Sequence, residues 1–338
     1  MTSSLALSII LSNYNHGQYL GTAIDSIAEQ ALDSMELIII DDGSTDDSLN
    51  VIETKSREHP FIHVLKNEKN MGSRLSVEKA FAEAKGEYVY FAASDDRVLP
   101  SFFRQSLDLL NKYPDANVCT GMVRSMSEQG EDLGPKPSQK VLKEPGYISP
   151  HMALSLLDTY DAWFICNTAI YRRQALIQMG GFDPDLNTFC DAFACTVMAL
   201  DGGACFIPDH LASVRTSDTS QSALATTDSE MATEMFGHAR QLMETRYAHL
   251  FPATYVKKWD MRWRNTVAGN IYKREGRNAL PFSGRLVPDL NTVDYAIIRF
   301  LDLIDRKRSR LVPYFLLLRL TPFDFRTAFM NRFFHSSH

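Results

Sequence analysis

Short apolar runs that alternate with stretches of helical period constrain this chain more than any other feature of its sequence. Leu5-Ala-Leu-Ser-Ile-Ile-Leu11 and Glu36-Leu-Ile-Ile-Ile40 are too short for buried helices and almost continuously apolar, the pattern of strands covered on both faces. Between them the turn cluster Asn13-Tyr-Asn-His-Gly17 leads into residues 19–30, where Leu20, Ala23, Ile24 and Ile27 recur at helical spacing. The alternation continues with a helix over Ser48–Arg57, a strand over Ile62–Leu65, a helix over Ser73–Ala84 and a strand over Tyr88–Phe91. Strands joined by helices predict a parallel sheet with right-handed crossovers. In such sheets ligands bind beyond the carboxyl ends of the strands. Two acidic clusters fall there, Asp41-Asp42 and Asp95-Asp96, and the functional reading rests on them.

At 338 residues the chain has room for one large or two medium domains. Glycine and proline predict a loop from Gly130 to Pro150. A helix (His151–Thr159), a strand (Phe164–Tyr171), a short helix (Arg173–Met179), the turn Gly180-Gly-Phe-Asp-Pro184, a helix (Asp191–Leu200) and a strand (Ala204–Pro208) follow. Beyond Ser217 the pattern changes to long helical periods, Ser229–Tyr247 and Tyr255–Arg274, which places a boundary near residue 220. The net charge of -6 argues against broad nucleic-acid binding. Five cysteines without a CxxC pair argue against a disulfide framework or a zinc site and fit a reducing compartment. Met1–Ser4 has no basic leader pattern, and the run Val312–Leu318 is far below the ~20 residues that span a bilayer. The expectation is a soluble or peripheral protein.

The strings Ser8-Ile-Ile-Leu-Ser-Asn-Tyr-Asn15, Tyr19-Leu20, Ser26-Ile27, Gln30 and Glu36-Leu-Ile-Ile-Ile-Asp-Asp-Gly-Ser-Thr-Asp46 resemble, in this order, the opening of family 2 glycosyltransferases with the GT-A fold. Asn70-x-Gly72, Lys85-Gly-Glu-Tyr88 and Ser94-Asp95-Asp96 continue the likeness, and Ala169-Ile-Tyr-Arg-Arg173 with Gly180-Gly-Phe-Asp183 extends it to about residue 215. The resemblance implies an α/β GT-A domain over residues 1–220, a mostly parallel sheet flanked by helices. Residues 1–100 would be its nucleotide-binding half, 101–220 its acceptor half, and 221–338 a helical C-terminal extension.

It also implies roles. Tyr14 would stack on the nucleobase, and Asp42 would accept the imide N–H of uracil or thymine. Both fit the residues' own chemistry, a ring among turn residues and a carboxylate beside a donor. Ser12 and Asp41 belong to the same nucleotide side, Asp41 being as compatible with a structural task. Asp95 would touch the ribose, and Asp96 would ligate Mg2+ or Mn2+ at the diphosphate, both ions preferring oxygen donors. Asp191 would be the catalytic base, with Asp183 as the fallback. Competing explanations are a core position for Tyr14, turn or cap chemistry for Asp42 and Asp96, and dipole stabilisation of a helix start for Asp191.

The sequence departs from the family pattern in four places. Cys190 precedes Asp191 where relatives carry Glu. Val77-Glu78 replaces an Arg-Asn pair, leaving Arg74 to approach the phosphates. The metal motif reads Ser-Asp-Asp. No His follows in Val214-Arg-Thr-Ser-Asp218, so Arg215 is left to supply part of that charge. Residues 299–338 mix Arg and Lys with Phe and Leu, which suits either a helical cap or the face of an anionic membrane. The expected activity is inverting transfer from a nucleotide-sugar, UDP-sugar favoured, to a carbohydrate or lipid-linked acceptor in polysaccharide or glycoconjugate synthesis. Homo-oligomers are compatible with it, and the setting is the cytoplasmic side of a membrane. The alternatives are a non-catalytic binding protein on the same fold and a nucleotidyltransferase.

Overall fold

The computed structural model describes residues 5–30, 32–136, 138–160, 162–216, 228–275 and 292–304, with 311, 312 and 315. The chain divides into two compact units, Met1–Pro184 with Asp191–Ser217 and Asp185–Cys190 with Asp218–His338.

The first unit opens with β1 (Leu7–Asn13), α1 (Gly17–Ala28), β2 (Met35–Asp41), α2 (Ser48–Glu58), β3 (Ile62–Lys66), α3 (Ser73–Glu83) and β4 (Tyr88–Ala93). All seven residues of β2 and six of seven in β1 are buried, as expected for strands covered on both faces. Each fully buried Ile or Leu there contributes about 1.5–3 kcal/mol. Leu20, Ala23, Ile24 and Ile27 form the inward stripe of α1.

There follow β5 (Arg97–Val98), α4 (Phe102–Lys112), β6 (Val118–Met126), β7 (Asp132–Pro135), β8 (Gly146–Ile148), α5 (Pro150–Tyr160), a 3-10 turn (Cys166–Thr168), β9 (Ile170–Arg172), α6 (Arg173–Gln178), a second 3-10 segment (Pro184–Phe189), α7 (Cys190–Asp201) and β10 (Ala204–Arg215). The sheet runs β3-β2-β1-β4-β9-β6-β10-β5, with β7 on β6 and β8 on β10. Neighbours from β3 to β4 are parallel, whereas β9 is antiparallel to both β4 and β6. The parallel expectation therefore describes the first half, and the second half is mixed.

Three segments differ from the sequence pattern. The Gly/Pro-rich stretch 130–150 holds β7 and β8, pairings that tolerate Pro135 and Gly134 because they lie outside the main strand order. Within 164–171 only Ile170 and Tyr171 are strand, and Cys166–Thr168 form the 3-10 turn, where the Thr168 hydroxyl lies within hydrogen-bond reach of the Gly121 and Ile165 carbonyls and offers the backbone an alternative to strand pairing. β10 continues past Pro208 to Arg215, with register shifts against β6 around His210 that absorb the proline.

The second unit contains α8 (Ser229–Glu244), α9 (Ala253–Glu275) and α10 (Thr292–Ile304). Asp228 caps α8, accepting from the N–H groups of Glu230 and Met231. Phe236 stacks on Trp263 at 4.7 Å between ring centres and meets Phe189 edge-on at 5.2 Å, an aromatic core for the unit. Most of the basic, Phe-rich stretch beyond residue 304 lies outside the described residues. Among those described, no helix is long and apolar enough to cross a membrane.

Candidate active site

β1 and β2 end side by side, Asn13 in register with Asp41. The buried Asp41 carboxylate accepts from Asn13 Nδ2 (2.9 Å), the Ser44 backbone N–H (2.9 Å) and Ser44 Oγ (2.7 Å). These bonds commit it to shaping the loop, which agrees with its structural alternative. Asn15, at φ 55, accepts the Thr45 N–H at 2.8 Å and ties the 13–17 loop to the 43–46 loop. Tyr14 rides on this knot, 42% exposed at the strand end instead of in the core. Ser12 is half-buried beside it, flanked in the sheet by Ile40 and Ala93.

Asp42 neither caps a helix nor closes its own turn. Its Oδ1 accepts Asn67 Nδ2 and the Met71 backbone N–H, each at 2.8 Å. Burial acts to raise this carboxyl, but hydrogen bonds from Met71, Asn67, Ser76 and Gly72 outweigh it and hold it below its ordinary value. An ionised carboxylate with acceptor capacity to spare is thus kept at the end of β2. Gly43 makes the geometry feasible: at φ 75, a Cβ there would lie 2.6 Å from the Lys69 carbonyl carbon. Arg74, one turn away on α3, is exposed and bonded to Glu78 at 2.8 Å.

Asp96 also does not cap α4, which starts at Ser101 as N-cap. Its Oδ1 accepts the Arg215 backbone N–H and its Oδ2 accepts Asn167 Nδ2, both at 2.9 Å. Burial pushes the Asp96 carboxyl up to about 7, with Asp95 acting in the same direction against those two donors. Arg215 brings positive charge to this acidic turn, with its donors committed to backbone carbonyls. Its guanidinium bonds the carbonyls of Asp95 (3.1 Å), Ser127 (2.6 Å) and Glu128, and lies 4.0 Å over the Tyr19 ring. It is a clamp behind the acidic turn. His16 closes the same turn from the other side, its Nδ1 2.8 Å from Ser94 Oγ.

Asp191, second residue of α7, accepts its neighbour Ala192's N–H at 2.6 Å. Burial raises its carboxyl above the ordinary Asp value, opposed by Ala192 and the Cys166 thiol. Cys166 and Asn167 are adjacent in the 3-10 turn, so one turn reaches both Asp191 and Asp96. Asp183 is half-buried, directly before the Pro184–Phe189 segment. Asn67, Asn167, His16 and Cys166 bond to the candidate residues or to their turn, and the sequence reading missed them. Only His16 lay inside a motif, and asparagine in loops gives no signal of which distant carboxylate it will meet.

The residues at Asp96 fit a hard divalent cation. A carboxylate forced toward neutrality by burial beside a second acid regains its charge when a cation arrives. Among the described residues Asp96 belongs to no close trio of His, Cys, Asp or Glu side chains, so the protein would offer one carboxylate and leave the remaining ligands to phosphate and water. The trio Asp25, Glu58 and His59 is different: Lys55 Nζ lies 2.7 Å from Asp25 and 3.0 Å from Glu58 and already pairs with both carboxylates. All five cysteines are free thiols.

Known proteins resemble this chain in sequence and in fold. A family model described as glycosyl transferase family 2 matches residues 8–180. An uncharacterized glycosyltransferase of Nostoc sp. is 27% identical over 249 residues, 68% of this chain and 73% of the relative. A mannosyltransferase from Pyrobaculum calidifontis, solved with GDP-Man and Mn2+, superposes with a TM-score of 0.57 at 17% identity, covering 98% of this chain and 88% of the other. The S. aureus protein TarS (residues 1-349), solved with UDP-GlcNAc, gives a TM-score of 0.52 at 17% identity over 80% of this chain and 82% of the other. At such identities the solved structures speak for the shared GT-A fold alone.

Proposed function

The chain belongs to glycosyl transferase family 2 and is a glycosyltransferase, and on that premise we propose that it moves a sugar from UDP to an acceptor hydroxyl with inversion. The observation that carries the donor side is Asp42, an ionised carboxylate held at a strand end by Asn67 and Met71, with the exposed Tyr14 directly after the end of the adjoining β1. Tyr14 offers a stacking face and Asp42 an acceptor for the imide N–H of uracil. Asp95 would meet the ribose, with Ser12 contributing at the end of β1. Arg74 would exchange its surface pair with Glu78 for a phosphate, a small loss because exposed pairs contribute about 0–1 kcal/mol.

Asp96 would hold Mg2+ or Mn2+, which when bound offsets the charge of the departing diphosphate. Asp191 takes the proton of the acceptor hydroxyl. As that proton leaves, the hydroxyl oxygen bonds to the anomeric carbon and the bond from carbon to phosphate oxygen breaks on the opposite face, releasing UDP. We place the reaction in polysaccharide or glycoconjugate assembly on the cytoplasmic side of a membrane, a setting supported by five free thiols.

Calorimetry with UDP, GDP and dTDP, each with and without Mn2+, tests the donor site. UDP is expected to bind with metal and to weaken about tenfold or more in Asp42→Ala, since a lost charge-assisted hydrogen bond costs about 1.5–3 kcal/mol. A guanine nucleotide also offers N–H donors, so preferential GDP binding would overturn the uracil assignment; no binding of any nucleotide by folded protein would overturn the donor site.

Arg215 gives a second prediction. Its guanidinium bonds three carbonyls and stacks on Tyr19, a set that a lysine ammonium does not reproduce. Both Arg215→Ala and Arg215→Lys are expected to weaken metal-dependent UDP binding by about tenfold, the lower range for groups that orient a metal ligand. Metal-independent binding should be spared. Unchanged metal dependence in Arg215→Ala would refute the clamp.

A further inference from the structure

We propose that α10 docks its exposed apolar face on an anionic lipid bilayer, drawn there by the basic composition of the sequence that follows it. Along α10, Ile298 and Asp294 are buried, 1% and 3% exposed, and mark the inner side. Ile297, Phe300, Leu303 and Ile304 are 36%, 60%, 52% and 61% exposed. Their spacing of three, six and seven residues from Ile297 puts them on one face. Four large apolar side chains on one face of a single helix make a continuous patch, and patches of this kind are covered in use.

Charge selects what covers it. Arg299 is exposed on the helix itself, and the sequence continues as Asp305-Arg-Lys-Arg-Ser-Arg310. Residues 299–338 hold eight Lys and Arg against three Asp, whereas the whole chain is at -6. In sequence, positive charge is therefore concentrated at and after the end of α10, while residues 1–298 are acidic. A second copy would set these cations against their own duplicates across an isologous interface. An anionic headgroup layer instead attracts each Lys or Arg near it by about 1 kcal/mol and takes the apolar side chains into its acyl boundary.

The proposal rests on the transferase reading only for its purpose, which is to bring the enzyme to a lipid-linked acceptor. The test is co-sedimentation of the full chain with vesicles of phosphatidylcholine and of an equal mixture of phosphatidylcholine and phosphatidylglycerol. Binding to the mixed vesicles alone is expected, weakening with salt. Phe300→Glu with Ile304→Glu should reduce it about tenfold or more, as should Arg306→Glu with Lys307→Glu and Arg308→Glu, which keeps all four apolar side chains. UDP calorimetry on the same variants should match wild type, so loss of lipid binding is separable from failure of the donor site. Equal binding to both vesicles, or no binding, would overturn the proposal. So would a concentration-dependent dimer that Phe300→Glu with Ile304→Glu abolishes, because the face would then belong to a second copy.

Discussion

Asp191→Asn is expected to lower the rate of UDP release from the donor–acceptor pair by about 10²–10⁴, the range in which a positioned general base acts. UDP affinity should stay unchanged, because Asp42 and Asp96, and not Asp191, are the residues proposed to hold the donor. The pH profile gives an independent reading. Burial raises the Asp191 carboxyl above the ordinary Asp value, and Ala192 and the Cys166 thiol oppose that shift. A base works deprotonated, so activity should fall as pH drops through this raised value, an acid limb above the range of an exposed Asp. Cys166→Ala removes a donor that favours the ionised form and should move that limb higher still. Stability supplies the control. A carboxyl raised in the folded state gives its full stabilisation below the unfolded value and loses it as pH rises through the folded one. At pH 8 the Asn variant should therefore melt at the wild-type midpoint or above, and its slow turnover would not reflect unfolding. A rate within about tenfold of wild type, or an equal loss in Asp183→Asn with Asp191→Asn unaffected, would transfer the base role elsewhere.

The strongest motifs in the sequence divide into two physical roles that a linear reading does not separate. Ser8, Glu36, Lys85 and Gly86 meet near the start of β1, where Ser8 Oγ donates to Glu36 at 2.6 Å and accepts from Gly86 N–H at 2.7 Å. A Cβ on Gly86 would lie 2.5 Å from the Ser8 nitrogen. These residues fasten strand starts, at the opposite end of β1 from Asn13 and Tyr14. Ser26 and Gln30 bind Val98 and Leu99 just beyond the acidic turn, bracing it from α1. Tyr14, Asp42, Asp95 and Asp96 instead follow the opposite ends of β1, β2 and β4, where the proposed donor would lie.

Alternating strands and helices were legible because burial on both faces of a parallel strand writes a continuous apolar run, as in Ile38–Ile40. The mixed half was less legible. β9 is three residues long, β10 runs through a proline, and the 3-10 turn is held by Thr168 instead of by any periodic pattern. The partners of the acidic residues were the least legible. Asn67 stands 25 positions from Asp42 and Asn167 stands 71 from Asp96, so only the folded topology brings them together. Arg215 shows the same limit in reverse: its charge was visible, while the three carbonyls and the ring that occupy it were not.

Asp96→Asn is the second large effect, and it should act oppositely on binding and on stability. With Mn2+ present the variant should bind UDP about a hundredfold more weakly or worse, because the one carboxylate offered to the ion is gone; losing even an outer-shell partner costs about 10–100-fold. Without metal, wild type and variant should bind UDP alike. The metal-free fold should meanwhile gain. The Asp96 carboxyl is pushed up from 3.8 to about 7, chiefly by burial. A raised folded value means stability is whole below about pH 3.8 and is lost as pH climbs through about 7. At pH 8 wild type thus carries a buried charge that Asn does not, and the variant should melt at a higher temperature, by a smaller margin at pH 5. Adding Mn2+ with UDP should raise the wild-type midpoint and close or reverse the gap, since a ligand that binds only the folded state stabilises it, and should raise the variant's midpoint no further than UDP alone does. A variant that binds UDP in Mn2+ as tightly as wild type would remove Asp96 from the metal site. Thermal curves insensitive to both pH and substitution would show that the carboxylate is not held at the cost the geometry implies.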